Sequence, residues 1–304
     1  MSFLGDRVVL VTGGGRGLGR AHALELARHG ATVVVNDLGV TLDGERQPGP
    51  SPAESVVAEI AACGGIAIAD HTSVSDWAGV EALVSRIVER CGGLDAVVNN
   101  AGVLRDRMLT SMSEADFDRV LDVHVKGTFV VTRHACAHWR AIAKAGRPVS
   151  GRVVNTTSGA GLWGNVGQAN YAAAKAAIVG MTTVVALEME RYGVTANTIS
   201  PIAATRMTQS AGMAHDHDGS AWDPMDPANA SPVVAWLVSE ESGWLSGAIL
   251  RVDGDAVSRV DGHQITRTFQ ATPGTAMRSA ELGTAIRKLY GTLPEGLPAR
   301  GSFR

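Results

Sequence analysis

Short runs of β-branched and other apolar residues alternate along the chain with longer stretches whose apolar positions recur at helical spacing. Val8–Val11, Thr32–Val35, Ile66–Ala69, Ala96–Val98, Val153–Thr156, Thr195–Ile199 and Ala248–Val252 read as strands. Their near-continuous apolarity suits parallel strands covered on both faces, because a half-exposed strand would alternate apolar with polar positions. Gly17–His29, Ala53–Cys63, Trp77–Cys91, Glu114–Trp139, Ala172–Tyr192 and Pro227–Ser239 read as the intervening helices. Such alternation predicts an α/β fold with a doubly wound, seven-stranded parallel sheet flanked by helices and right-handed crossovers.

Local signals agree with these boundaries. Ser51-Pro52-Ala53-Glu54 offers an N-cap, a proline at the first helical position and a capping-box acid; Ser113-Glu114-Ala115-Asp116 repeats the device without proline. Gly30, Gly64, Gly92 and Gly193 stand where a helix must stop before the next strand. Two polar loops interrupt the pattern, Gly39–Pro50 and a segment within 203–230 that contains His215 and His217. The second reads as a substrate lid, since interleaved Asp and Gly suit a flexible loop better than a metal site. Residues 1–260 are expected to form one domain, and 261–304 a C-terminal tail of low periodicity carrying Arg267, Arg278, Arg287, Lys288, Arg300 and Arg304.

Composition narrows the class. Apolar residues make up 45% of the 304 residues and charged residues 19%, enough to build a substantial core. A net charge of −3 gives no overall attraction to nucleic acid or to an anionic membrane, so neither is an expected partner. Cys63, Cys91 and Cys136 show no paired or metal-ligand spacing, which favours small buried or half-buried thiols in a reducing compartment and no metal. With no leader-like N-terminus and no expected membrane span, a cytoplasmic location is the default.

The first strand runs into Thr12-Gly13-Gly14-Gly15-Arg16-Gly17-Leu18-Gly19, and a helix follows at once. Glycines there let the backbone approach a pyrophosphate whose charge the helix N-terminus holds, so Thr12, Gly13, Gly15, Arg16, Gly17, Leu18 and Gly19 are candidate dinucleotide ligands. The sheet is then Rossmann-type. Asp37, closing the second strand, can accept from both ribose hydroxyls of NAD and would repel the 2′-phosphate of NADP. NAD is therefore the favoured cofactor, although Arg16 offers a cation to that phosphate, and Asp37 could instead only cap its own turn.

Tyr171 and Lys175 lie four apart on one helical face, so a nearby ammonium can favour the phenolate and bring Tyr171 closer to working pH. Ser158, at a strand's carboxyl end, can hold a substrate oxygen against that phenol.

Together TGGGRGLG at Thr12–Gly19, NNAG at Asn99–Gly102, Ser158 thirteen residues before Tyr171, YAAAK at Tyr171–Lys175 and Pro201 resemble the short-chain dehydrogenase/reductase family over about residues 5–255. The resemblance implies hydride transfer with Ser158 positioning the substrate oxygen, Tyr171 as acid/base, and Lys175 on the nicotinamide ribose. It further implies that Asn99, Asn100, Ala101 and Gly102 line the adenosine side, with Pro201 and Thr205 near the nicotinamide.

Three positions depart from that pattern. His124 stands where many members carry an asparagine that orders a relay water; it is either a relay group or a packed core histidine. Ile202 replaces the glycine usual after Pro201, and the adenine-side acid is displaced, leaving Asp70 and Thr72 as candidates.

Val35–Gly39, Asn100–Arg107, Gly164–Tyr171 and Thr205–Thr208 resemble the branch of the family that forms the D-specific 3-hydroxyacyl-CoA dehydrogenase unit of peroxisomal multifunctional enzymes, also described as a 17β-hydroxysteroid dehydrogenase type. The resemblance implies a 3-hydroxyacyl-CoA as substrate, its acyl group extending to bulky or steroid-derived ones, with a free hydroxysteroid or other secondary alcohol as the alternative. A dinucleotide-binding regulatory module without turnover would need no Ser158/Tyr171/Lys175 set. The basic tail could meet coenzyme A phosphates or clasp a partner subunit. Family habit also implies a homodimer or homotetramer built on the long helices Glu114–Trp139 and Ala172–Tyr192.

Overall fold

The computed structural model describes residues 3–40, 49–204, 222–262, 267–269 and 279–290. In the unit Met1–Val260, one sheet is built from β1 (Val8–Thr12), β2 (Thr32–Asn36), β3 (Ile66–Asp70), β4 (Ala96–Asn99), β5 (Gly151–Thr156), β6 (Val194–Ile202), β7 (Ile249–Asp253) and β8 (Ala256–Val260). Their spatial order is β3-β2-β1-β4-β5-β6-β7-β8. All neighbours are parallel except β7 and β8. The direction of winding reverses between β1 and β4, the place where an open sheet leaves a crevice beyond its strand ends.

Helices α1 (Gly17–Arg28), α2 (Pro52–Ala62), α3 (Trp77–Cys91), α4 (Glu114–Leu121), α5 (Gly127–Lys144), α6 (Gly159–Trp163), α7 (Ala169–Met189) and α8 (Ser231–Val238) cover the sheet. Side-chain alternation in β1 shows why two layers form. Val9 and Val11 enter one core with Leu26, Val56 and Val234, while Val8 and Leu10 enter the other with Leu83, Val130 and Trp139. Every residue of β1 is buried. At roughly 1.5–3 kcal/mol for each large apolar side chain fully buried, these strands anchor the fold.

The punctuation behaves as the sequence suggests. Ser51 and Glu54, and likewise Ser113 and Asp116, form reciprocal capping boxes. Gly30, Gly64, Gly92 and Gly193 all adopt positive φ.

The seven parallel strands are joined by an eighth, β8, whose antiparallel pairing with β7 a single Gly254-Asp255 turn permits. The expected helix Glu114–Trp139 is interrupted by a π-helical turn at Asp122–Lys126. The helix expected from Ala172 begins three residues earlier, at Ala169.

Helix Ala169–Tyr192 is long and apolar enough to cross a bilayer by length and composition, contrary to the expectation that no such stretch exists. It nonetheless packs on β6 and carries Lys175 on its buried face. In the separate unit Asp261–Arg304, the described residues include a helix, α9 (Ser279–Tyr290), where the sequence shows no clear period; Arg267 Nη1 donates to the Leu289 carbonyl at 3.2 Å.

Candidate active site

The carboxyl ends of the central strands stop level with one another: Thr12 pairs with Asn99, and Asn99 with Asn155. Beyond them lies a cavity of about 570 Å³. Gly13, Gly15, Arg16, Gly17 and Leu18 form one wall; Asn100, Ala101 and Gly102 form another that meets it at Gly13, and Asp37 lines the cavity beside Gly15. Gly13 turns at φ 61°, and a Cβ there would lie 2.8 Å from Ala101 Cα, so only glycine lets the two walls meet.

This cavity fits a dinucleotide on three counts. Arg16 at the N-cap of α1 makes no side-chain cap, and the first turn holds no acid, unlike the capped α2. The first N–H groups of α1 are thus left for an anion, and the helix dipole favours one. Gly15 approaches so closely that a Cβ would lie 2.8 Å from Asp37 Oδ2, which keeps the backbone within reach of a phosphate. Asp37 itself takes the Gly15 N–H on Oδ2 at 3.0 Å and the Gly39 N–H on Oδ1 at 2.9 Å. It therefore both caps its turn and presents a carboxylate to the cavity. Arg16 Nη1 donates to the Val40 carbonyl at 3.2 Å.

Other candidates stand behind this surface. Thr12 Oγ1 accepts the N–H groups of Asn100 and Ala101, both at 3.1 Å, and Asn100 Nδ2 donates to the carbonyls of Thr12 and Gly13. Asn99 is buried and braces the sheet, donating to Thr132 Oγ1 at 2.9 Å and Asn155 Oδ1 at 2.8 Å. Gly19 packs beneath the Gly13 carbonyl. Pro201 lies inside β6, paired with Val252, and Ala204 reaches the cavity in its stead. Thr205 and the segment with His215 and His217 lie outside the described residues.

Of the two adenine-side candidates, Thr72 lines the cavity. Asp70 turns aside to Asn36, to Arg86 and to the Thr72 N–H, each at 2.8 Å. Val103, Arg119 and Val123 also line the cavity and were not anticipated. Only Val103, directly after the NNAG motif, carried a usable signal.

Ser158 caps α6, its Oγ accepting the Ala160 N–H at 3.3 Å. Tyr171 and Lys175 occupy the first two turns of α7, with Lys175 Nζ 5.5 Å from the Tyr171 ring centre and donating to the Thr156 carbonyl at 2.7 Å.

Burial, more than their mutual attraction, dominates both groups. It pushes the Tyr171 phenol up to about 12, against a lowering by Ser158 and with a further rise from Asp106. It also pushes the Lys175 ammonium down to about 7. The expected lowering of Tyr171 by its neighbour is thus outweighed by desolvation.

His124, on the π-helical turn, is buried and meets Tyr171 edge to face at 5.2 Å. Its Nε2 lies 3.1 Å from the Val103 N–H and 2.9 Å from the Val103 carbonyl, while Nδ1 is buried without a partner among the described residues. Burial, reinforced by Lys175, lowers its pKa to about 3.

A βαβ sheet with a glycine turn at its first crossover and Ser, Tyr and Lys gathered at its strand ends is the architecture of a dinucleotide-dependent dehydrogenase. Residues 7–216 match the short chain dehydrogenase family, and the chain belongs to it. It is accordingly an oxidoreductase acting on CH–OH groups with a nicotinamide dinucleotide.

Among its relatives, hydroxyacyl-CoA dehydrogenase ChsB1 of Mycobacterium tuberculosis is 44% identical over 294 residues, spanning 94% of this chain and 89% of that protein. Peroxisomal multifunctional enzyme type 2 of Mus musculus is 44% identical over 234 residues, 77% of this chain and 30% of that one. A solved short chain dehydrogenase from Mycobacterium avium superposes with a TM-score of 0.85 at 48% identity, covering 95% of this chain and 96% of its own. One from Burkholderia cenocepacia, solved in complex with NADP, gives 0.68 at 32% identity, covering 84% of this chain and 98% of its own.

Proposed function

We propose that the protein is an NAD-dependent dehydrogenase that oxidises the hydroxyl of a 3-hydroxyacyl-CoA to the ketone. The observation that carries this reading is the grouping of Ser158, Tyr171 and Lys175, with the Tyr171 ring packed on His124, which in turn abuts the cavity-lining Gly102 and Val103. The substrate class is supported by the relatives named hydroxyacyl-CoA dehydrogenase and peroxisomal multifunctional enzyme type 2. The NAD preference is supported by the Asp37 carboxylate, whose charge opposes a 2′-phosphate.

Bound nicotinamide supplies the chemistry of accepting a hydride. Ser158 Oγ holds the substrate oxygen, and Tyr171 takes the hydroxyl proton as the carbonyl forms. Lys175 sits close enough to stabilise the phenolate when its ammonium is charged. His124 stays neutral and forms a wall beside Tyr171. Gly13–Gly19 and the N-terminus of α1 receive the pyrophosphate, and Asn100–Gly102 close the adjoining side.

We also read the protein as a homo-oligomer. A groove of about 840 Å³ runs between α5 and α7, flanked by exposed Phe129, Val184 and Leu187, an apolar face suited to a second copy.

The test is a panel of 3-hydroxyacyl-CoA thioesters and free hydroxysteroids with NAD and with NADP. Oxidation of the thioesters with NAD is expected; turnover confined to free steroids, or to NADP, would overturn the corresponding part of the reading.

A further inference from the structure

Residues 103–107 form a strap that ties the wall of the dinucleotide cavity to the start of α7. At its beginning, the N–H and carbonyl of Val103 both meet His124 Nε2. Further along, the Arg105 carbonyl accepts from Asn170 Nδ2 at 2.9 Å, and the Arg107 N–H donates to the Gly167 carbonyl at 2.9 Å. Between these two, Asp106 Oδ2 accepts from Gln168 Nε2 at 2.8 Å. Gln168 is the N-cap residue of α7, and Asn170 uses its Oδ1 to take the Tyr171 N–H at 2.8 Å. Gln168 and Asn170 are buried.

We infer that Asp106 is a positioning residue for Tyr171, acting through Gln168 without touching substrate. The inference rests on the reading of Tyr171 as the proton acceptor. A strap that only held the loop would not need a charge, since an asparagine carbonyl accepts the same bond from Gln168. Yet Asp106 keeps a carboxylate whose other oxygen, Oδ1, is buried with no partner among the described residues. Leaving such an oxygen bare is costly, and a buried polar atom without a partner calls for an explanation.

The groups facing Tyr171 are Lys175 from its own helix, His124 from the π-helical turn, Ser158 from the start of α6, and Asp106 from the strap. Asp106 opposes Lys175: its negative charge adds to the proton affinity of the phenol. Arg105 and Arg107 flank it, and Nη1 of each donates to a backbone carbonyl, of Leu104 and Asp106 respectively.

Asp106→Ala, Gln168→Ala, the double variant and Asp106→Asn test this. The readouts are kcat and KM for alcohol oxidation, NADH affinity by fluorescence, and amide hydrogen exchange over residues 168–175. Loss of the strap bond is expected to lower kcat roughly tenfold to a hundredfold while KM and NADH affinity stay within about twofold. The double variant should lose clearly less than the sum of the two single losses, because both single variants remove the same Asp106–Gln168 bond. Exchange in the first turn of α7 should quicken in both alanine variants and stay slow in Asp106→Asn.

Asp106→Asn should also retain most of kcat and move the rising limb of its pH profile to lower pH, since a phenol freed of that charge ionises more readily. Additive losses in the double variant, unchanged exchange, or an unmoved limb would overturn the inference. Exchange needs no substrate, so a protein that oxidised no alcohol would sink the reading of Tyr171 while the strap was still being tested.

Discussion

Gly102 presses against the ring of His124, so that a methyl group on residue 102 would lie 2.3 Å from Cε1. The ring cannot retreat easily, being buried and held at Nε2 by Val103. Gly102→Ala is expected to destabilise the fold by about 1–3 kcal/mol, the usual range for overpacking a closed site. Urea unfolding checks the size. Pairing it with His124→Ala should recover much of the loss, and simple additivity in that cycle would argue against the contact.

Tyr171→Phe should lower turnover by about two to four orders of magnitude, the range attributed to a positioned acid/base. Phenylalanine keeps the ring that packs on His124, so NADH affinity should change little. Single-turnover hydride transfer is the measurement, and activity near wild type would remove Tyr171 from the mechanism.

Asp37→Asn keeps acceptor capacity for the Gly15 N–H but removes the charge that opposes a 2′-phosphate. The ratio of NAD to NADP efficiency should fall at least about tenfold, equivalent to about 1.4 kcal/mol. Steady-state kinetics with both cofactors decide it. An unchanged ratio would shift the discrimination to another residue, with Arg16 the first to examine.

Acid should weaken the fold through two buried histidines. His22, between α1 and α8, has Nδ1 2.9 Å from Ser231 Oγ, and burial lowers its pKa to about 4; His124 is lowered to about 3 by burial and Lys175. Below the unfolded value near 6.5, the unfolded chain takes up protons that the folded chain still refuses. Stability from this source is complete above that value and declines as pH falls toward the folded values. The slope is up to about 1.4 kcal/mol per pH unit for each histidine. Urea unfolding from about pH 7 to about pH 5 measures the slope. It should flatten in His22→Gln, and an identical slope there would acquit His22.

A single charge on the α5/α7 face should break the oligomer. Leu187→Glu places a carboxylate on a side chain that is 72% exposed in one chain. Sedimentation should show a multimer for the wild type and a monomer for the variant; a wild-type monomer would refute the reading of that face.

The parallel strands were legible because burial on both faces leaves unbroken apolar runs, as in Val8–Val11. Both capping boxes and the Tyr171/Lys175 pair were legible because each is set by spacing along one helix. The π-helical turn at Asp122–Lys126 was not, since one wider loop in a hydrogen-bond ladder barely disturbs apolar periodicity. Helix α6 is only five residues long, two of them glycine, and gives no period at all. β8 escaped because its residues are mostly exposed and its pairing is a tertiary fact. Arg119 reaches the cavity from a segment far from the motifs, which no local pattern encodes. The strength of Tyr171's proton hold was misjudged for a related reason: spacing reveals Lys175, whereas desolvation depends on everything packed around both.

The β7–β8 hairpin has a practical consequence for anyone shortening the chain. By pairing with Ile249–Asp253, β8 shields the last parallel strand, whose backbone N–H and carbonyl groups would otherwise face outward as a template for a foreign strand. Removing residues beyond 261 leaves that shield in place. Cutting before Ala256 strips it away, and the product should clump edge to edge even though its catalytic residues are untouched. A handful of mostly exposed residues with no part in the chemistry therefore marks where the tolerable end of this protein falls.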